Sequence, residues 1–280
     1  MDEVGSLDAV ELRARIDAEL EAVLARARSD VASRAPASAE LVDEIDRLVR
    51  AGGRRVRPIL CVLGHAAAGG RIEDVVPAAA GLELLHTFML VHDDVMDDEW
   101  ERRGVPATHR RFAEAGPEAE AFGRSAAILV GDLAFALGVD LVLSTPVAPG
   151  RVLAAARLLM PMALATAAGQ FLDVRGDGGR DVDLAALKTG AYTAETPLAM
   201  GAVLAGAGPG VLAVLGAFAR PVGVAFQLLD DVADGAAGTG AATRASRLLD
   251  EGERALVGAP ITPVAAAGLR EVVGWLREAV

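Results

Sequence analysis

GLELLHTFMLVHDDVMDDEWERRGVPATHRR, from Gly81 to Arg111, opens as an unbroken apolar run and closes in charge. The run has the length and composition of a buried helix, predicted from about Pro77 to Asp97. Near its end stands Asp93-Asp94-Val95-Met96-Asp97, and the same DDxxD spacing returns at Asp230-Asp231-Val232-Ala233-Asp234. Residues four apart on a helix lie one above the other. Asp93 and Asp97 are thus expected on one face, as are Asp230 and Asp234. Carboxylates so placed in apolar surroundings repel each other, and a hard divalent cation with oxygen ligands offsets the repulsion. Mg²⁺ bridging to a phosphate is the natural candidate. Two such faces opposed across a cavity would clamp a diphosphate.

The rest of the chain supports a helical frame for these motifs. Of 280 residues, 52% are hydrophobic but only 4% aromatic, so the core must be built from Ala, Leu and Val. Alanine is the best helix former and strand punctuation is scarce, which predicts an all-α fold. Residues 7–28 carry an apolar stripe of Leu12, Ile16, Leu20, Val23 and Leu24. A second helix is expected over 39–50, ended by Gly52-Gly53, and Arg54-Arg55-Val56-Arg57-Pro58 opens the next. Residues 99–117 read as a loop, and helices resume at about 119–143, 152–174, 184–205 and 211–234. Residues 235–240 are small and flexible in composition, and two helical pieces, about 242–257 and 263–280, close the chain. With no long linker and no repeat beyond the two acidic motifs, a single domain is expected.

A net charge of −12 argues against nucleic acid as a partner. It conflicts with an anionic ligand only until metal ions reverse the local sign. The one cysteine, Cys61, permits no internal disulfide; it fits a reducing cytoplasm and reads as a small buried apolar residue. The N-terminus has no basic-then-apolar leader pattern. The most apolar windows, 126–143 and 211–229, are interrupted by charge or too short, so no membrane span is expected. Lys188 is the only lysine among 27 basic residues, which hints at a specific task.

Around the first motif, His86 lies two turns before Asp93, while Arg102 and Arg103 follow where the chain leaves the helix. Guanidinium forks suit phosphate oxygens better than ammonium groups do. Acids for metal and arginines for phosphate within one helix–loop unit form a coherent assembly. GGRRVRP (52–58), LLHTFMLVHDDVMD followed by ERRG, GQFLD (169–173), KTG (188–190) and FQLLDDVAD (226–234) stand in order and in context. In this the chain resembles the trans-isoprenyl diphosphate synthases, or polyprenyl synthetases, of the short-chain type, over about residues 8–234.

The resemblance implies an isoprenoid synthase fold of antiparallel helices around a central cavity, and a homodimer. It implies Mg²⁺-dependent condensation of isopentenyl diphosphate with an allylic diphosphate to a product of geranylgeranyl or farnesyl length. Asp93, Asp97 and Asp230 would bind the metal ions, with Asp94, Asp231 and Asp234 in support. Arg102 would grip the allylic diphosphate. Arg54, Arg57, His86 and Arg103 would hold isopentenyl diphosphate, and Lys188, Thr189 and Gln227 would face the reacting carbons. Gln170 and Asp173 match the GQxxD pattern. Phe88, the fifth residue upstream of the motif, is the expected stopper of the product chain, with Met89 beside it. Two features depart from the family: Arg54 replaces a lysine, and the lysine loop that normally follows Asp234 is missing, leaving a shortened C-terminal region. Arg244 and Arg247 could replace that charge, but a plain surface helix is the simpler reading. Two alternatives stay open: a class I terpene cyclase, which needs no isopentenyl diphosphate site, and a non-catalytic subunit of a heteromeric synthase.

Overall fold

A computed structural model describes residues 8–113, 117–176, 192–233, 235 and 240–278. The predicted all-α architecture holds. Helix α1 (Ala9–Arg34) is capped by Asp8, whose carboxylate accepts from the Val10 N–H at 2.8 Å, and it buries the expected stripe from Leu12 to Leu24. A single 3₁₀ turn (Pro36–Ser38) leads into α2 (Ala39–Arg50), as read from the sequence. Then follow α3 (Val56–Ala67), α4 (Ile72–Met96), α5 (Thr108–Phe112), α6 (Pro117–Leu143), α7 (Pro149–Ala156) and α8 (Leu159–Val174). Helices α9 (Thr196–Ala205), α10 (Pro209–Ala233), α11 (Ala241–Ala255) and α12 (Pro263–Glu278) complete the described chain.

Helix α3 is the axis of the core, because every residue from Val56 to Ala67 is buried. Within it Cys61 is fully buried, and burial pushes its thiol up to about 12, so it packs as an apolar residue. Helices α4 and α6 meet through a pair of glycines. A Cβ on Gly81 would fall 2.6 Å from the Gly138 carbonyl, and one on Gly138 would fall 2.8 Å from that of Gly81. Either side chain would push the two helices apart, so the close approach of α4 to α6 depends on both.

Several boundaries differ from the sequence reading. Helix α4 begins at Ile72 rather than at Pro77, with Glu73 and Asp74 in a first turn whose exposed N–H groups favour acids. The expected helix over 152–174 is divided at Arg157 and Leu158 into α7 and α8. The predicted loop after α4 contains a two-stranded hairpin, β1 (Glu101–Arg102) with β2 (Val105–Pro106), and then α5.

By length and composition alone, four helical stretches could cross a membrane: Ile72–Met96, Glu118–Leu143, Pro149–Val174 and Pro209–Ala233. The windows read from the sequence were shorter than the helices that contain them, so the expectation of no span does not stand on length or composition. The four differ in how they are covered, from 61% of the apolar window buried in the first to 22% in the third.

Candidate active site

The site grows from the C-terminal end of α4. Helix α4 stops at Met96 because Asp98 takes a left-handed backbone, φ 54°, which Asp tolerates better than most residues. The Glu99 N–H then returns to the Asp94 carbonyl at 3.0 Å, closing a Schellman motif. Asp97 caps this end, its N–H on the Asp93 carbonyl at 2.9 Å, and its side chain is exposed. The hairpin that follows turns through Arg103 (φ 55°) and Gly104 (φ 75°), the two left-handed residues that a type I′ turn needs. A bulky residue at such a φ is uncommon and strained. Here it brings the Arg103 guanidinium back over the molecule, where Nη1 donates to the Gly52 carbonyl. Gly53, at φ 132°, leaves the space: a Cβ there would lie 3.0 Å from Arg103 Nη1.

The hairpin is anchored from beneath. Glu44 on α2 is fully buried and accepts from Arg47 (2.6 Å), Thr108 (2.8 Å) and Arg111 (2.9 Å), while Arg47 also donates to the Pro106 carbonyl at 2.8 Å. The GGRRVRP segment is anchored by Arg55. Its buried guanidinium donates to Asp17, Glu83 and the Val49 carbonyl, each at 2.8 Å, tying α1, α2 and α4 together. The sequence reading passed over Arg55 and Glu83; the doubled arginine of GGRR was the available signal.

Two adjoining cavities open here, of about 430 and 410 Å³, sharing Arg57, His86, Leu90, Arg102, Phe226 and Asp230. The first is arginine-rich, with Arg54, Arg55 and Arg103 in its wall besides the shared Arg57 and Arg102. The second adds Asp93, Met89, Thr166, Gln170, Tyr192 and Gln227. Gln227 donates to Asp231 at 2.6 Å, which fixes its amide and orients its carbonyl dipole. Arg57 Nε, Thr166 Oγ1 and both amide atoms of Gln170 are buried with no hydrogen-bond partner among the described residues. Buried polar atoms without partners are rare in folded proteins, and a group of them around one cavity marks a place for a polar ligand.

His86 sits where the cavities meet. Its Nε2 lies 3.4 Å from Arg57 Nη1 and 3.4 Å from Arg103 Nη2, while its Nδ1 is 2.7 Å from the Tyr192 hydroxyl. Burial, then the charges of Arg57, Arg103, Arg102 and Arg55, hold the imidazole well below its ordinary value, so it is neutral near pH 7. Tyr192 was also missed, although it is the only tyrosine in the chain. It stands in a π-helical turn over 192–195, just before α9, and such turns gather at functional sites.

Two expectations about placement change. Asp94 does not accompany Asp93 in the cavity wall: it is 1% exposed and accepts from Arg102 Nε at 2.8 Å. Burial pushes its carboxyl up, and Arg102 pulls it back down. Phe88 is absent from the residues lining the two cavities, whereas Met89 is present; the Phe88 ring meets His92 (4.8 Å) and Phe135 (5.2 Å) between α4 and α6. Arg244 and Arg247 are exposed on α11, outside both cavities. Lys188, Thr189 and Asp234 lie outside the described residues. Among the described residues no three His, Cys, Asp or Glu side chains converge to hold a metal ion by themselves.

Fold and site together define a class: all-α proteins with an arginine-rich cavity beside one that carries aspartates. Residues 38–244 match the family model described as Polyprenyl synthetase. The chain belongs to the polyprenyl synthetase family. It is 35% identical over 194 residues to the geranylgeranyl diphosphate synthase of Methanosarcina mazei, covering 67% of this chain and 56% of that protein. It is 38% identical over 196 residues to a dimethylallyltranstransferase of Fischerella ambigua, covering 66% of this chain and 54% of that protein. The matched region thus spans somewhat more than half the length of these relatives. Among solved structures, a geranylgeranyl pyrophosphate synthase from Corynebacterium glutamicum, complexed with isoprenyl diphosphate and magnesium, shares the fold with a TM-score of 0.88. It is 24% identical, and the alignment covers 98% of this chain and 100% of that one.

Proposed function

We propose that this chain is a Mg²⁺-dependent prenyltransferase that condenses isopentenyl diphosphate with an allylic diphosphate to a trans-prenyl diphosphate of geranylgeranyl or farnesyl length. The observation that carries the reading is the pair of adjoining cavities sharing His86 and Arg102. One holds the basic groups for a diphosphate that needs no ionisation. The other adds Asp93 and Met89 to the shared Asp230, Leu90 and Phe226, so that carboxylates and an apolar wall meet in one cavity. Asp93 and Asp230 line the cavity and fit Mg²⁺ as partial ligands, because this ion is often held by one or two carboxylates completed by substrate phosphates; Asp97, exposed at the end of α4 and in neither cavity wall, is assigned to the ion by the family resemblance. Magnesium held there would supply positive charge against that developing on the departing allylic diphosphate.

The chain's own residues supply the rest. Arg102, oriented by Asp94, presents a guanidinium at the boundary of the cavities. Arg54, Arg57 and Arg103 neutralise the isopentenyl diphosphate, and the neutral His86 adds a hydrogen bond. The carbonyl dipole of Gln227, fixed by Asp231, faces the electron-deficient carbon, with Lys188 and Thr189 assigned to the same task. Phe226, Leu90 and Met89 keep water from the cation. The exposed apolar side chains of α6 and α8, including Leu129, Leu164 and Phe171, support a homodimer, and the free, buried Cys61 fits a cytoplasmic location.

Purified protein incubated with Mg²⁺, labelled isopentenyl diphosphate and each allylic diphosphate in turn tests the reading. Condensation products are expected. Hydrocarbon from the allylic substrate alone would indicate a cyclase, and silence would indicate a subunit that needs a partner.

A further inference from the structure

His86 has two ring nitrogens with opposite surroundings. Nε2 faces Arg57 Nη1 and Arg103 Nη2, both at 3.4 Å, and a guanidinium can only donate. In the ligand-free protein Nε2 must therefore present its lone pair. A neutral imidazole carries one N–H, so the proton belongs on Nδ1, where it donates to the Tyr192 oxygen at 2.7 Å. A diphosphate entering between these arginines reverses the demand. Its oxygens only accept, so Nε2 must now carry the proton and Nδ1 becomes the acceptor.

We propose that Tyr192 is a positioning residue that lets His86 move its ring proton from Nδ1 to Nε2 when a diphosphate binds, with neither nitrogen left unpaired. Among the described residues only the Tyr192 hydroxyl meets Nδ1, and a hydroxyl can accept or donate by rotating. Burial pushes the phenol up, so it keeps the proton that the second state needs. The ring has a further contact that holds it in place. The Arg57 guanidinium carbon stacks 4.2 Å from the ring centroid, and Arg57 Nη2 donates to Thr193 Oγ1 at 2.9 Å. Tyr192 and Thr193 thus hold both His86 and Arg57 from one π-helical turn. The His86 charge does not change in this exchange, so no new ion is created among four arginines. The diphosphate half of the proposal rests on the function proposed above; the Tyr192–His86 half does not.

The test is ¹⁵N NMR of histidine-labelled protein, with His86 assigned by comparison with His86→Asn. In the ligand-free wild type, His86 is expected to show a protonated Nδ1 and a bare Nε2. Titration with isopentenyl diphosphate should exchange the two signatures. Tyr192→Phe should keep the proton on Nδ1, which the two arginines still require, but move its signal toward that of an N–H without a hydrogen bond. Its KM for isopentenyl diphosphate should rise on the order of tenfold, the effect of an unpaired buried nitrogen, with a smaller change in kcat. An Nδ1–H signal that stays at its wild-type position in Tyr192→Phe would overturn the role of Tyr192. A wild-type titration in which the ligand binds and the signatures stay put would overturn the exchange, whether or not the variant folds. Failure of isopentenyl diphosphate to bind would instead sink the substrate reading, and would leave the ligand-free comparison to decide the Tyr192–His86 coupling.

Discussion

Asp94 holds Arg102 across the end of α4, accepting from Nε at 2.8 Å while itself almost completely buried. The second aspartate of the motif is thereby committed to an arginine, and the first is left for the cavity. Asp93→Ala is expected to lower Mg²⁺-dependent turnover on the order of a thousandfold. Asp94→Ala should act through Arg102, raising KM for the allylic substrate roughly 10- to 100-fold, the range seen when an orienting partner is removed. Steady-state kinetics of the two variants separates these roles, and equal losses in kcat would show that Asp94 meets the metal after all.

The Arg55–Glu83 pair is a matter of stability. Both side chains are only 3% exposed, so removing one partner strands a buried charge. Glu83→Ala should destabilise the protein by roughly 3 kcal/mol, the lower end for a broken buried pair, because Asp17 still faces Arg55. Urea denaturation measures it, and a loss below about 1 kcal/mol would mean that Asp17 carries the pairing alone.

Acid should weaken the fold through its histidines. The folded-state values of His86, His65 and His109 all lie below 6.5, each lowered first by burial. Below about pH 6.5 the unfolded chain binds more protons than the folded one, so stability is present above that pH and is lost as pH falls toward the folded values. One group contributes a slope of up to about 1.4 kcal/mol per pH unit. Denaturation at about pH 7.5, 6.5 and 5.5 should show the decline, and His86→Gln should show a shallower one.

Product length should respond differently at two neighbouring positions. Met89 lines the aspartate-bearing cavity, whereas Phe88 is wedged against Phe135 of α6. Met89→Ala should lengthen the product at once by enlarging the cavity. Phe88→Ala should lengthen it further only by opening the space between α4 and α6. Chromatography of the products decides the order, and an unchanged profile in both would remove these residues from chain-length control.

Much of this was legible in the sequence because it is local. The α1 stripe, the stop at Gly52-Gly53 and the aspartate spacing depend on helical periodicity and backbone freedom, which a short window carries. The same logic located His86 and Arg102 near the first motif. It could not tell that Asp94 points to Arg102, since both sides of a helix end in a polar loop read alike. Nor could it tell Phe88 from Met89, which are one residue apart and separated only by the face each presents.

By itself the sequence determined the helical class, the two acidic motifs and the family to which they belong. The tertiary structure alone decided the contacts that make the motifs a site. Arg57 meets Thr193 across 136 residues, and His86 meets Tyr192 across 106. No period or propensity encodes such distances. They follow from how α3, α4 and the turn before α9 pack, which fixes where each side chain ends. The acidic motif is a property of one helix, while its division of labour between Asp93 and Asp94 belongs to the packed protein.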